Sequence, residues 1–307
     1  MQTLNERRLA SAVIALLYVA VWAGSWDVWW HGVIGRDSFW EPPHLLLYSS
    51  VIAAVALGIV GFRRFRDHRW KRIALALLLI PLSAPFDELW HRMFGVESVA
   101  SPLVVWSPPH LVLIGALAFA FVNLLPVLKS GAKSLDRALF ASLTFAGILG
   151  LLQFLVTPLH PIGPYALLGF WGAAFSSAAV VGGLLFARRW FEEPGGAFLA
   201  GALFFLTGSM TFGEHASLVS DVPPHGHSAS WIMIAAILLT ALAIELGAKR
   251  SRVLVGTLAG LTYGLILFPL SRLFIEAGFE YGTADAFIAV VASVIGGLVV
   301  GLTLKRV

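Results

Sequence analysis

Cysteine is absent from all 307 residues. That excludes disulfides, thiolate metal sites and cysteine nucleophiles at once. Methionine is scarce, with only 4 residues, which argues against a thioether path for Cu(I). Charge is the third shortage. Asp, Glu, Lys and Arg make up 12% of the chain, against roughly 25% in soluble domains. A chain that is 58% hydrophobic, with mean hydropathy +0.85, lacks the polar surface to stay in water, and a bilayer is its natural solvent. No separate soluble domain, long linker or low-complexity segment interrupts it. Glycine pairs such as Gly182-Gly183 and Gly296-Gly297 match no phosphate-binding pattern and suit close helix packing. No Ser-His-Asp arrangement stands out.

What the chain does have is long apolar runs, with 11 Trp and 22 Phe of the kind that form membrane-interface belts. A helix needs about 20 apolar residues to cross the hydrocarbon core. That window predicts an all-α bundle of about ten spans, near 8–30, 43–62, 72–92, 109–128, 138–157, 165–187, 197–215, 229–248, 253–273 and 284–304. The first run follows Asn5-Glu6-Arg7-Arg8 and is too long for a signal-peptide core, so it reads as a retained helix.

The connections between these runs are of two chemical kinds. Arg7-Arg8, the run Arg63 to Arg72, Lys129/Lys133/Arg137, Arg188-Arg189, Lys249/Arg250/Arg252 and Lys305-Arg306 hold most of the 21 Lys and Arg. Alternating ten spans puts all of them on one side. By the positive-inside rule that side is the cytoplasm, with both termini there. The net charge of +4 is therefore a topology signal, and no nucleic-acid partner is expected.

Histidine lies on the opposite side. His31, His44, His91, His110, His160, His215, His225 and His227 fall in or beside the non-cytoplasmic connections, leaving only His68, of the nine, in a basic loop. The acidic residues Asp27, Asp37, Glu41, Asp87, Glu88, Glu97, Glu214 and Asp221 share that bias. A weak repeat organises them. Asp27-Val-Trp-Trp30-His31 is followed by Pro42-Pro43-His44, and Asp87-Glu-Leu-Trp90-His91 by Pro108-Pro109-His110. Glu214-His215 with Pro223-Pro224-His225-Gly226-His227 is a degraded third copy. This divides the chain into a four-helix metal-site half, 1–130, and a six-helix half, 131–307, carrying the outer His-rich loop.

An i,i+4 spacing puts Asp27 and His31 on one face of a helix end. Proline at a helix start loses no needed hydrogen bond, so Pro42-Pro43 places His44 just inside the next helix, at the same membrane level. One carboxylate and two imidazoles then converge from adjacent helices, and Asp87, His91 and His110 repeat the arrangement. Such N/O sites suit Cu(II), Zn, Fe or Mn. Trp26, Trp29, Trp30 and Trp40 are expected to wall the first site, Glu88 to serve as a partner orienting an imidazole of the second, and Arg92 to pair with Glu88 or Glu97. Glu214, His215, His225 and His227 form a weaker metal candidate, and His160 reads as a lone loop histidine. An isolated Asp–His pair near a helix end is also an ordinary hydrogen-bonded cap. Repetition on one side, and ionisable residues at membrane depth, favour ligation.

The stretch Asp27-x-x-Trp30-His31-x4-Arg36-Asp37-x4-Pro42-x-His44, ending near Tyr48, resembles the C subunit of the copper membrane monooxygenases. That family contains particulate methane monooxygenase and ammonia monooxygenase. Its C subunit carries Asp-x3-His-x12-His as copper ligands, and the resemblance implies that role for Asp27, His31 and His44. Asp87, His91 and His110 look like the family's later Asn-His-His cluster, with Asp in place of Asn and a longer insertion. The resemblance covers residues 20–120. Ten spans exceed what that subunit leads one to expect, and no counterpart of the B subunit's cupredoxin-like domain is present. What it implies is a copper-dependent membrane monooxygenase subunit working with other oxygenase subunits in an oligomer, zinc or iron being the alternative metals. Ligands alone do not show turnover, so an enzyme and a purely metal-binding subunit both stay open. Two other classes stay open as well. One is a divalent-metal transporter or metallochaperone, for which Glu245, Gln153 and Asn123 are the polar mid-span residues. The other is a non-catalytic scaffold held together by its Asp–His pairs.

Overall fold

The computed structural model describes residues 2–34, 40–94, 106–129, 135–156, 169–191, 194–213, 227–247, 249–274 and 283–304. Among these it is all helical, with ten helices and no strand. In chain order they are α1 (Gln2–Val33), α2 (Pro42–Phe65), α3 (His68–Phe94), α4 (Pro108–Lys129), α5 (Leu135–Val156), α6 (Gly169–Phe191), α7 (Gly196–Gly213), α8 (His227–Leu246), α9 (Arg252–Phe274) and α10 (Thr283–Thr303). Each overlaps one of the ten apolar runs. Seven, namely α1–α4, α6, α9 and α10, are long and apolar enough to cross a membrane, while the described parts of α7 and α8 give shorter apolar helices, Gly196–Leu206 and Ala235–Leu246. Large apolar side chains face outward along them, including Ile52, Leu82, Phe86 and Phe287, each more than 60% exposed. That surface suits lipid and not water.

The chain divides into two compact units, Met1–Leu151 and Leu152–Val307, the division falling within α5. The boundary drawn from the repeat lay at 130/131. In the first unit α1 packs on α2, α2 on α3, α3 on α4, and α4 back on α1, closing a ring of four helices. Its core holds Ile14, Leu17, Trp70, Ile73, Leu77, Phe121, Leu124 and Leu128, all essentially buried. Trp70 occupies the space beside Gly61, where any Cβ would strike its ring. Its indole Nε1 donates to Glu6 Oε1 at 2.9 Å, tying α3 to α1.

Local signals set the helix ends here. Pro42-Pro43 opens α2, and Arg66 closes it in the left-handed conformation with φ 52°. Asp67 caps α3, its Oδ1 accepting the Arg69 N–H at 3.0 Å. Pro81 and Pro85 lie inside α3, which apolar helices in bundles tolerate because neighbouring groups take up the freed carbonyls.

In the second unit α10 packs against both α9 and α6, and α8 against α7 and α9. Helices α9 and α10 approach closely. Gly256 and Gly260 on one helix meet Gly297 and Ser293 on the other, backbone against backbone. Ser177 Oγ of α6 donates to the Ser293 carbonyl at 2.8 Å, and the buried Ser176 and Tyr263 hydroxyls share a hydrogen bond of 2.5 Å.

Candidate metal centres

Successive helices of the four-helix ring run in opposite directions. The C-terminal ends of α1 and α3 therefore lie level with the N-terminal starts of α2 and α4. Asp27 and Asp87 come from the former, His44 and His110 from the latter. The positive end of a helix dipole favours a carboxylate brought beside it.

Asp87, His91 and His110 come together. Asp87 Oδ1 lies 3.5 Å from His91 Nε2 and 3.2 Å from His110 Nε2. The imidazole rings stand 5.5 Å apart at 60° to each other. His91 is buried and the other two half-buried. One donor atom from each falls within a span of 4.8 Å. A metal with donors at about 2.0–2.2 Å holds neighbouring donors roughly 3–3.5 Å apart, so this spacing fits a shared ion as well as it fits a hydrogen-bonded cluster. Two imidazoles and one carboxylate are an N/O set accepted by copper, iron and zinc. Trp90 and Phe94 pack together at 4.4 Å on the same helix end.

Around the first motif, His44 Nε2 lies 2.9 Å from Asp27 Oδ1, and His44 Nδ1 lies 3.9 Å from Glu41 Oε2. Glu41 and His44 are buried, at 4% and 6% exposure, and Asp27 is half-buried. Donor atoms of the three again fall within 4.8 Å of one another. His31 is in α1, one turn beyond Asp27, and its side chain lies outside the described residues. Trp26 packs between Trp22, at 5.9 Å, and Trp30, at 6.2 Å, forming an aromatic ladder along the same helix. Trp40 is 71% exposed and does not wall the site; the side chain of Trp29 lies outside the described residues.

Glu41 is the functional candidate that reading the ligand repeat passes over. The signal was present: an acidic residue directly before Pro-Pro-His. The repeat drew attention to Asp and His, and its second copy has Ser107 at that place.

Glu88 pairs with Arg92 at 2.9 Å on the exposed side of α3, the pairing expected of Arg92. Of the polar residues that a transport path would use, Glu245 accepts hydrogen bonds from Gly195 N–H at 2.8 Å and Ala197 N–H at 2.7 Å and faces Arg188 Nε at 3.0 Å. It caps α7 and joins it to α6 and α8. Asn123 donates to its own helix at Phe119. The side chains of Gln153 and His227 lie outside the described residues, as do Glu214, His215, His225 and His160 altogether. Solvated His68 and Arg69 gather around Asp67, at 2.9 and 2.7 Å. The Arg69 backbone N–H is the main cause that holds the Asp67 carboxyl below its ordinary 3.8; burial opposes it, and the Arg69 guanidinium adds to the lowering.

Fold and site together define a class, a helical protein of membrane type with two histidine–carboxylate groups able to hold a metal. No family model, curated protein or solved structure matches the chain.

Proposed function

We propose that the protein is a copper-binding integral membrane subunit of monooxygenase type, taking part in the O2-dependent oxidation of a small apolar substrate or ammonia. The observation that carries the reading is the convergence of Asp87, His91 and His110, with Oδ1 at 3.5 and 3.2 Å from the two Nε2 atoms. Its sequence support is the match of Asp27, His31 and His44 to the copper-ligand spacing of the C subunit. In this reading the chain crosses the bilayer ten times with both termini in the cytoplasm, and both sites lie near the non-cytoplasmic face. It assembles with other oxygenase subunits.

Copper held there supplies one-electron redox chemistry toward O2. The residues bind and shield. The imidazoles donate nitrogen, the Asp carboxylates offset the cation's charge, and the flanking Trp and Phe side chains exclude water. One oxygen atom enters the substrate and the other leaves as water, with two electrons from a quinol or an external carrier and two protons.

The test is elemental analysis with EPR on the detergent-purified full chain. Wild type is expected to hold copper with a nitrogen-ligated signal. Asp87→Ala/His91→Ala/His110→Ala is expected to lose the copper of the second site, and Asp27→Ala/His31→Ala/His44→Ala that of the first. Unchanged metal content in both variants would sink the reading. Zinc in place of copper would redirect it to a hydrolytic or structural site.

A further inference from the structure

The ends of α1 and α2 away from Asp27 and His44 carry a second feature. A cleft of about 320 Å³ opens between the two helices there, with Arg8 and Arg64 on its walls, at the lower end of the size range of ligand pockets. Arg8 and Ala12 are i,i+4 on α1, and Val60 and Arg64 i,i+4 on α2, so each helix presents an arginine and an apolar residue on one face. The cleft is graded. Both arginines lie toward the helix ends, while Leu9, Ala12, Leu57 and Val60 line it toward the middle of the helices. Among the described residues neither arginine pairs with a carboxylate, and the nearby acids are committed elsewhere. Glu6 Oε1 accepts the Trp70 indole N–H, and Asp67 pairs with Arg69. Arg64 instead stands 5.8 Å from the centre of the Phe65 ring. The segment Arg63 to Arg72 adds to the positive field, with six Lys and Arg against one acid, Asp67.

We propose that this cleft is a binding site for one anionic phospholipid, its phosphate held by Arg8 and Arg64 and its acyl chains lying along Leu9, Ala12, Leu57 and Val60. Two guanidinium groups at the mouth complement a phosphate, and basic pockets between membrane helices on the cytoplasmic side take anionic headgroups. The apolar half decides between a lipid and a free phosphate ion, since the ion has no use for it. Under the positive-inside topology this end of α1 and α2 meets the cytoplasmic leaflet, and the lipid bridges the two helices there. The site is separate from the copper reading and does not rest on it.

Native mass spectrometry of the detergent-purified full chain tests it, with phosphatidylglycerol and phosphatidylcholine of the same acyl chains added in turn. Wild type is expected to retain one phosphatidylglycerol in preference to phosphatidylcholine. Arg8→Gln is expected to weaken that binding about 5-fold and Arg8→Gln/Arg64→Gln about 30-fold, the worth of one and of two basic side chains at an anionic lipid surface. Arg63→Gln/Arg72→Gln removes the same charge outside the cleft and is expected to bind as wild type. Ala12→Phe fills the apolar end without changing charge and is expected to weaken phosphatidylglycerol as well. All five positions are exposed, so the variants keep the packing of the ring. Equal retention of the two lipids, or the same loss in Arg63→Gln/Arg72→Gln as in Arg8→Gln/Arg64→Gln, would overturn the site and leave only the general attraction of a basic face. Displacement of the lipid by inorganic phosphate at matched ionic strength, with Ala12→Phe binding as wild type, would identify a free-anion site and overturn the lipid assignment.

Discussion

Glu41 and Ser107 occupy the same place in two copies of one motif and do different physical work. The hydroxyl is short enough to bond back to its own helix start; the longer carboxylate makes no capping hydrogen bond and lies buried, 3.9 Å from the His44 ring. Asp67 offers a comparable case outside the apolar segments. Its carboxyl titrates below 3.8, chiefly because the Arg69 N–H hydrogen-bonds to the ionised form. A depressed carboxyl pKa contributes stability above the unfolded value, and that contribution is lost as pH falls through the folded one. Asp67→Asn, which keeps the capping oxygen but removes the charge, is expected to cost about 0.5 kcal/mol at pH 7, as screened surface pairs do. The difference from wild type should close below pH 3.8, which thermal unfolding in detergent at neutral and acid pH would reveal.

Among the elements, α9 and α10 depend on having no side chain where they cross. A Cβ on Gly297 would run into the Gly256 carbonyl, so Gly297→Val is expected to destabilise by at least 1–3 kcal/mol, roughly the cost of overpacking. Gly115, with nothing within 4 Å of its would-be Cβ, is the control. Gly115→Ala should be neutral or stabilising by up to about 1 kcal/mol, the helix-propensity difference. Glu245 serves three helices at once. Glu245→Ala strips the N-terminus of α7 and leaves the Arg188 guanidinium, 20% exposed, without this carboxylate. A loss of about 3 kcal/mol is expected. Denaturant or thermal unfolding of each variant in one detergent would check all three. A normal transition in Glu245→Ala with altered metal uptake would instead revive a transport role for this residue.

For the whole molecule, the distribution of charge makes a topological prediction that the absence of cysteine renders easy to test. With the basic connections inside, the turn between α2 and α3 faces the cytoplasm and the start of α2 faces outward. Trp40→Cys and Arg66→Cys each place a single thiol at an exposed position. A membrane-impermeant maleimide applied to intact cells is expected to label the first and spare the second until lysis. The reverse pattern would invert the topology and put both candidate sites on the cytoplasmic side.

Much of this protein is written in one dimension. The ten apolar runs appear as ten helices because a helix satisfies its own backbone, so apolar length alone specifies it. The motif Asp-x3-His with Pro-Pro-His fixes the level of its residues along their helices, because proline marks a start and i,i+4 marks a face. Which atoms meet is another matter, since it depends on how helices rotate against one another. Packing of Trp70 against Gly61 and closure of α4 onto α1 belong to that tertiary level. So does the sharing of Asp87 between His91 and His110, and the gathering of Asp27, Glu41 and His44. Sequence determined the helices, their ends and the side chains available for a metal. Tertiary structure decided which of these side chains meet, Glu41 with Asp27 and His44 among them, because the rotation of helices against one another sets which atoms come together and no spacing rule specifies that.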